Sequence, residues 1–282
     1  MKSNIQISLC SLLLVLGSLL TACQVIPQDE QLIEVFTPAD STSFKRTSLL
    51  IEFSGWRCVN CPNAAEVAHG LKEQYGEELV VVVMHPESNP NTRYGNNQSV
   101  NYTCPEADSI YVHMGGTSTT PFPTGNVNMM NTSGVGAGYF FSENTWATLL
   151  SQASREVTRV RIEQEIIHTN DNSIDIEVNI TNQTDHLIDA TLQVWLTEDN
   201  IVGKQKMPDN TTNDAYIHNH LLRASISPLW GTKSSIATGE SDVCIYHYTL
   251  PDKVIAENCN VVSILTIAGV VVQVKETKLT KQ

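Results

Sequence analysis

Two cysteines, Cys58 and Cys61, lie between two short apolar segments of the chain. Residues 48–54 and residues 79–84 are each rich in Leu, Ile and Val, which is typical of buried strands. The first segment ends only a few residues before the cysteine pair. We therefore expect the pair to sit at the end of a buried strand.

A helical pattern follows the cysteine pair directly. Apolar residues recur at helical spacing from residue 64 to residue 75. Pro62 suits the first turn of a helix, and Gly76 suits its end. A strand, a helix and a second strand in this order predict two parallel strands joined by a right-handed crossover.

The amino-terminal residues resemble a bacterial lipoprotein signal. Lys2 precedes an apolar run over residues 5–20, and small residues stand directly before Cys23. We expect residues 1–22 to be a signal peptide, Cys23 to carry the lipid that reaches the membrane, and residues 23–47 to be a lipidated tether. The alternative is an uncleaved membrane helix, for which the run is short and contains several polar residues.

The charge of the chain excludes one class of partner. The 17 basic residues against 30 acidic residues give a formal net charge of −13, which repels phosphate backbones. We therefore expect no nucleic acid partner. Hydrophobic residues make up 41% of the chain, enough for a folded core.

The apolar period changes near residue 158. Ile174, Ile176, Val178 and Ile180 alternate with polar residues, as expected of strands with one buried face. Several such strands predict an antiparallel β-sandwich of the immunoglobulin class. The predicted fold is thus an α/β domain over residues 48–158, followed by an Ig-like all-β domain over residues 159–282.

The position of the cysteine pair predicts redox chemistry. A helix amino terminus carries about half a positive charge, which lowers the pKa of a nearby thiol. Arg57 adds a positive charge beside Cys58. We expect Cys58 to be the attacking thiolate and Cys61 to be the resolving thiol that closes the disulfide.

Two other interpretations of the pair stay open. It could be an inert disulfide, although a disulfide that closes a four-residue loop stabilises the folded protein by only about 2 kcal/mol, through the entropy that the unfolded chain loses. It could also bind zinc if Cys104, His69 or His85 supplied further ligands. We expect no cofactor and no metal ion, and the pairing of Cys104, Cys244 and Cys259 is left open.

Two further histidines, His218 and His220, alternate in a segment with strand character. On a strand, both rings would face one side, where they could hold a metal ion together with a third ligand. The interpretation that we favour is a hydrogen-bonded turn and packing motif.

Four motifs together resemble one protein family, the twenty-eight-kilodalton outer-membrane-protein family of Bacteroidota. They lie at residues 55–63, 122–128, 197–203 and 216–223. The resemblance implies an outer membrane lipoprotein with a thioredoxin-like domain, an Ig-like β domain and a redox motif. It implies no established substrate. In thioredoxin-like domains a cis-proline faces the cysteine pair and docks the substrate backbone, and Pro123 looks like that proline.

Two functions are compatible with these observations. The first is thiol-disulfide exchange on exported proteins, whose thiols or disulfides would be the partners. The second is binding or adhesion at the cell surface, with a structural disulfide and an Ig-like domain that presents the contact face. Whether the protein is an enzyme is thus left open by the sequence.

Overall fold

The computed structural model describes residues 43–95, 100–131, 138–168, 172–252 and 254–279. The predicted signal peptide, Cys23 and most of the predicted tether lie outside these residues. Everything described belongs to one compact unit.

The described residues contain helices, strands and two short 3-10 turns at Gly76–Glu78 and Ala256–Asn258. The helices are α1 Cys61–Tyr75, α2 Pro105–His113 and α3 Glu143–Ala153. The strands are β1 Phe44–Lys45, β2 Ser48–Phe53, β3 Leu79–Met84, β4 Thr124–Val127, β5 Val157–Thr158, β6 Val160–His168, β7 Ser173–Asn182, β8 Ile188–Glu198, β9 Ile201–Lys206, β10 Thr212–His218, β11 Leu221–Ser225, β12 Thr232–Ile236, β13 Ser241–Thr249, β14 Cys259–Ile267 and β15 Val270–Lys278.

The predicted strand, helix and strand around the cysteine pair are confirmed. β2 and β3 are parallel, with Ser48 opposite Leu79, and α1 connects them. The helix begins at Cys61, one residue before Pro62, and ends at Tyr75, directly before Gly76, whose φ is 58°. A positive φ costs little at glycine, which explains the sharp end of the helix.

One sheet runs from the first half of the chain into the second. Its strand order is β15-β14-β8-β11-β3-β2-β4, and β12 pairs with β8 beside this path. β11 lies parallel to β3 on one side and antiparallel to β8 on the other. The sheet is therefore continuous across residue 158, where the sequence predicts a domain boundary, and the division into domains stays a prediction.

The second half of the chain forms a β-sandwich. The three strands β6, β7 and β13 form an antiparallel sheet that packs against β8 and β14. The predicted alternation is confirmed here, because Ile174, Ile176, Val178 and Ile180 are all fully buried in this core. The molecule is mostly β, with several sheets.

Helices cover both faces of the sheet around β2 and β3. The helices α1 and α3 pack on one face, over Leu50 and Val81, and α2 packs on the other, over Ile51 and Val82. The core under α2 continues into the second half of the chain through residues of β11, β8, β14 and β15: Leu222, Trp195, Val262, Ile264, Val271 and Val274. The two halves of the chain thus share one core.

We expect Leu222→Ala to destabilise the whole protein. Leu222 is 1% exposed and lies on β11, between β3 and β8. Truncation of a buried leucine leaves a cavity and costs about 2–5 kcal/mol of unfolding free energy. Urea denaturation measures this loss. The control is Leu187→Ala at a side chain that is 54% exposed, and an equal loss in both variants would contradict the shared core.

Candidate functional site

The loop after β2 carries the cysteine pair. Cys58 and Cys61 form a disulfide, with their Cα atoms 5.4 Å apart. The Cys58 N–H donates to the Gly55 carbonyl at 3.0 Å, and the Cys61 N–H donates to the Cys58 carbonyl at 3.4 Å. These two bonds form tight turns that place Cys58 three residues before Cys61, the first residue of α1. A disulfide thus links Cys58 and Cys61 at the amino terminus of α1, where the sequence predicted the pair.

Both cysteines are almost completely buried. Cys58 is 5% exposed and Cys61 is 2% exposed. The hairpin formed by β9 and β10, which we call the capping hairpin, lies over their loop. Its Lys206 N–H donates to the Trp56 carbonyl at 2.7 Å. A strand from the second half of the chain, β9, therefore contacts the cysteine loop directly.

The same hairpin contributes a buried amide to the loop. The Gln205 Nε2 donates to the Cys58 carbonyl at 3.0 Å and to the Gly55 carbonyl at 3.3 Å. Neither contact was predicted from the sequence, since a glutamine in a polar β segment carries no distinguishing pattern. Gln205 is thus a residue of the site that sequence reasoning missed.

Arg57 and Pro123, the other predicted site residues, have distinct surroundings. The Arg57 guanidinium lies 4.8 Å from the centre of the Trp56 ring, a cation–π contact. The Phe122–Pro123 peptide bond is cis, and Pro123 directly precedes β4, which pairs with β2. The effect of Arg57 on the Cys58 thiol and the docking of a substrate at Pro123 both stay predictions.

A buried carboxyl group lies on β2, the strand that precedes the cysteine loop. Glu52 is 1% exposed, and neither carboxylate oxygen has a hydrogen bond of normal geometry within the described residues. Burial raises the pKa of Glu52 to about 7, and the hydroxyl of Ser54 only moderates this rise. The sequence contains evidence that could have identified this residue, because Glu52 is the only charged residue in the apolar segment 48–54.

A cavity of about 470 Å³ connects Glu52 with the disulfide. It lies between β2, β3, α1 and the capping hairpin, and both Glu52 and Cys61 line it. Tyr216 of the hairpin lines it too, and burial together with the charges of Glu52 and Glu66 raises the pKa of Tyr216 to about 12. Cys61 and the buried carboxyl group of Glu52 thus line the same cavity.

Histidines form another part of the cavity lining. His85 and His218 are buried, with ring centres 5.9 Å apart, and Tyr102 lies 4.4 Å from His218. Burial lowers the pKa of His218 to about 4, and burial and His218 lower the pKa of His85 well below its usual range. The His218 ring bonds the Lys204 carbonyl at 3.2 Å. These rings are neutral at pH 7, which agrees with the packing interpretation.

His220 follows the end of β10 instead of lying on it. Its φ is 57°, and its Nδ1 is 3.3 Å from Asp199. Within the described ranges, no group of three or more His, Cys, Asp or Glu residues is arranged to hold a metal ion.

The remaining cysteines of the described chain are free thiols. They are Cys104, Cys244 and Cys259. Burial raises the pKa of Cys104 and of Cys259 to about 12, so neither is a thiolate at neutral pH. The Cys104 thiol donates to the Leu222 carbonyl at 3.5 Å. The structure keeps these thiols out of the cysteine pair.

The fold and the site define a mostly β protein with a disulfide at a helix start. The chain belongs to the family Outer membrane protein Omp28, whose family model matches residues 117–282. The predicted family and the predicted outer membrane location are thereby confirmed. The matched residues include the capping hairpin and begin after the cysteine pair. No curated protein matches the chain.

One of the solved structures that match the chain has a similar overall fold. HBP35 of Porphyromonas gingivalis is 17% identical, with a TM-score of 0.64 over 85% of this chain and 79% of that one. A domain of the outer membrane lipoprotein Omp28 from Porphyromonas gingivalis is 21% identical, with a TM-score of 0.32 over 44% of this chain and 89% of that one. At 17% identity, the similarity to HBP35 is evidence about the fold and not about function. Among the described helices, none is long and apolar enough to cross a membrane.

We expect Glu52→Gln to change how stability depends on pH. A carboxyl group whose pKa is raised from 4.5 to about 7 stabilises the folded protein only while it is protonated. Its contribution is therefore complete below about pH 4.5 and is lost as the pH rises to about 7. As the pH rises from 4 to 8, the unfolding free energy of the variant should therefore increase by roughly 3 kcal/mol relative to that of the wild type.

Urea denaturation at a series of pH values measures this difference. The control is Glu165→Gln, which makes the same substitution at an exposed glutamate of β6. The difference from wild type isolates Glu52 from His85 and His218, whose lowered pKa values reduce stability as the pH falls below 6.5. A constant difference across the range would contradict the assignment.

Proposed function

We propose that this outer membrane protein carries out thiol-disulfide exchange on exported proteins through Cys58 and Cys61. The observation that carries the proposal is the disulfide at the start of α1, with a buried carboxyl group lining the same cavity. The helix terminus stabilises a thiolate at Cys58. The buried carboxyl group provides a proton acceptor for Cys61.

The reaction on a substrate disulfide has two steps. The Cys58 thiolate attacks one substrate sulfur, a mixed disulfide forms, and the other substrate sulfur leaves as a thiolate and takes up a proton. Cys61 then gives its proton to a base and attacks the Cys58 sulfur, which releases the second substrate thiol. Two electrons pass from the cysteine pair to the substrate, and the Cys58–Cys61 disulfide is closed.

Glu52 is suited to accept the proton from Cys61. It lines the cavity that Cys61 lines, and its pKa of about 7 matches proton exchange at neutral pH. Among the described residues, neither oxygen of the Glu52 carboxylate has a hydrogen bond of normal geometry, and burial lowers the pKa values of His85 and His218, which line the same cavity. Glu52 would return the proton to solvent through the open side of the cavity.

The surroundings of the pair support a thioredoxin-like assignment for residues 48–158. These features are the parallel strands β2 and β3, the crossover helix α1, and the cis Phe122–Pro123 bond before β4. In such a domain, Pro123 would dock the substrate backbone. The β-sandwich supports an Ig-like assignment for residues 159–282 in the same way.

Anchoring by lipid at Cys23 is part of the proposal. The signal-like pattern before Cys23 supports it. The word lipoprotein also stands in the name of the solved Omp28 domain from Porphyromonas gingivalis. Exported proteins would then be the substrates that reach the site.

A second candidate function is binding or adhesion with an inert disulfide. The burial of both cysteines under the capping hairpin favours it, because a disulfide shielded from solvent is slow to exchange. The reduction potential decides between the two candidates, since an inert structural disulfide is far harder to reduce.

We expect the Cys58–Cys61 pair to have a reduction potential between about −120 and −270 mV, the range of working oxidoreductases. Equilibration with glutathione, followed by mass spectrometry of the alkylated thiols, measures it. A value below about −300 mV would identify an inert bridge and would favour the binding function.

We also expect Cys61→Ser to trap mixed disulfides with exported proteins through Cys58. Without Cys61 the second step of the reaction is blocked, so the intermediate accumulates. The matched control is Cys58→Ser with Cys61→Ser, which leaves the three buried or half-buried thiols in place. Equal trapping by both variants would show that Cys58 is not the attacking residue.

A further inference from the structure

The capping hairpin connects the β-sandwich with the redox site through one side chain. Gln205 is 3% exposed, and its amide points at the cysteine loop. Its Nε2 donates to the carbonyls of Cys58, Gly55 and Lys206, at 3.0, 3.3 and 3.0 Å. All three neighbours are carbonyl oxygens, so the NH₂ end of the amide is the end that faces the loop.

The two loop carbonyls that Gln205 binds also close the turns of the cysteine pair. The Gly55 carbonyl accepts from the Cys58 N–H, and the Cys58 carbonyl accepts from the Cys61 N–H. The first turn fixes the backbone at Cys58, and the second fixes the path from Cys58 to Cys61. Gln205 thus acts on the segment that sets the distance between the two cysteines.

A disulfide requires its two Cα atoms to lie within a narrow range of distances. Here they are 5.4 Å apart, within that range. A dithiol has no such requirement, so an interaction that holds the loop in this geometry favours the disulfide over the dithiol. The interaction therefore has a different free energy in the two redox states.

We propose that Gln205 is a positioning residue for the Cys58–Cys61 couple, so that the capping hairpin sets the redox equilibrium of a site in the other half of the chain. The inference rests on the proposed function, because it concerns the same pair. Gln205 does not touch the reacting sulfurs. It acts through the carbonyls of the loop.

The test is the glutathione equilibrium of Gln205→Met in the full chain. Methionine has about the same length and no hydrogen-bond donor, so the loop loses the amide without a large change of volume. We expect the equilibrium to shift about tenfold toward the dithiol, which corresponds to a potential about 30 mV more positive.

Gln193→Met is the matched control. Gln193 lies on β8, is buried, and donates through its amide to the Leu229 carbonyl at 2.7 Å. Both variants lose a buried amide and both should unfold at lower urea concentrations. Only Gln205→Met should change the potential, because a loss of stability that is equal in the oxidised and reduced states leaves the potential unchanged.

Gln205→Asn provides a milder second variant, in case Gln205→Met does not fold. The shorter side chain keeps the amide but withdraws it from the loop, and it should shift the equilibrium in the same direction. An unchanged potential in a folded Gln205 variant, or an equal shift in Gln193→Met, would overturn the inference. A wild-type potential outside the oxidoreductase range would instead overturn the proposed function, and the difference between variants would still test Gln205.

Discussion

The free edge of β3 needs a hydrogen-bonding partner, and β11 supplies it. β2 pairs along one edge of β3, and the other edge pairs with β11 in parallel at one position, where Leu221 lies opposite Val83. The Val83 N–H donates to the His220 carbonyl at 2.8 Å. An unpaired buried edge would leave backbone groups without partners, so this pairing fixes the sandwich against the strands that carry the cysteine loop.

The position of the capping hairpin follows from that pairing. β10 ends at His218 and β11 begins at Leu221, so the hairpin lies where β11 meets β3. From there Gln205 and Lys206 reach the loop that carries Cys58. The hairpin also encloses the cavity, in which burial keeps His85 and His218 neutral and raises the pKa of Glu52 to about 7.

Local patterns predicted much of this structure. The apolar segments, Pro62 and Gly76 were sufficient for β2, α1 and β3, and the alternation from Ile174 to Ile180 was sufficient for a sandwich strand. The contacts between the halves had no local signature. Gln205 and Cys58 are 147 residues apart in the sequence. Two strands, β11 and β12, pair with different parts of the same edge of β8. Such pairings depend on the final shape of the sheet. The hydrophobic period of a segment predicts a strand, but it does not predict which strand will be its neighbour.

The central claim is that the oxidised cysteine loop and the capping hairpin stabilise each other. Coupling of this kind is reciprocal, so reduction of the disulfide must weaken the hairpin by as much as the hairpin strengthens the disulfide. Amide hydrogen exchange of the oxidised and the reduced full chain, followed by mass spectrometry, measures this directly. We predict faster exchange in β9 and β10 after reduction, with the exchange of β7 unchanged. Identical exchange of the hairpin in both redox states would contradict the account.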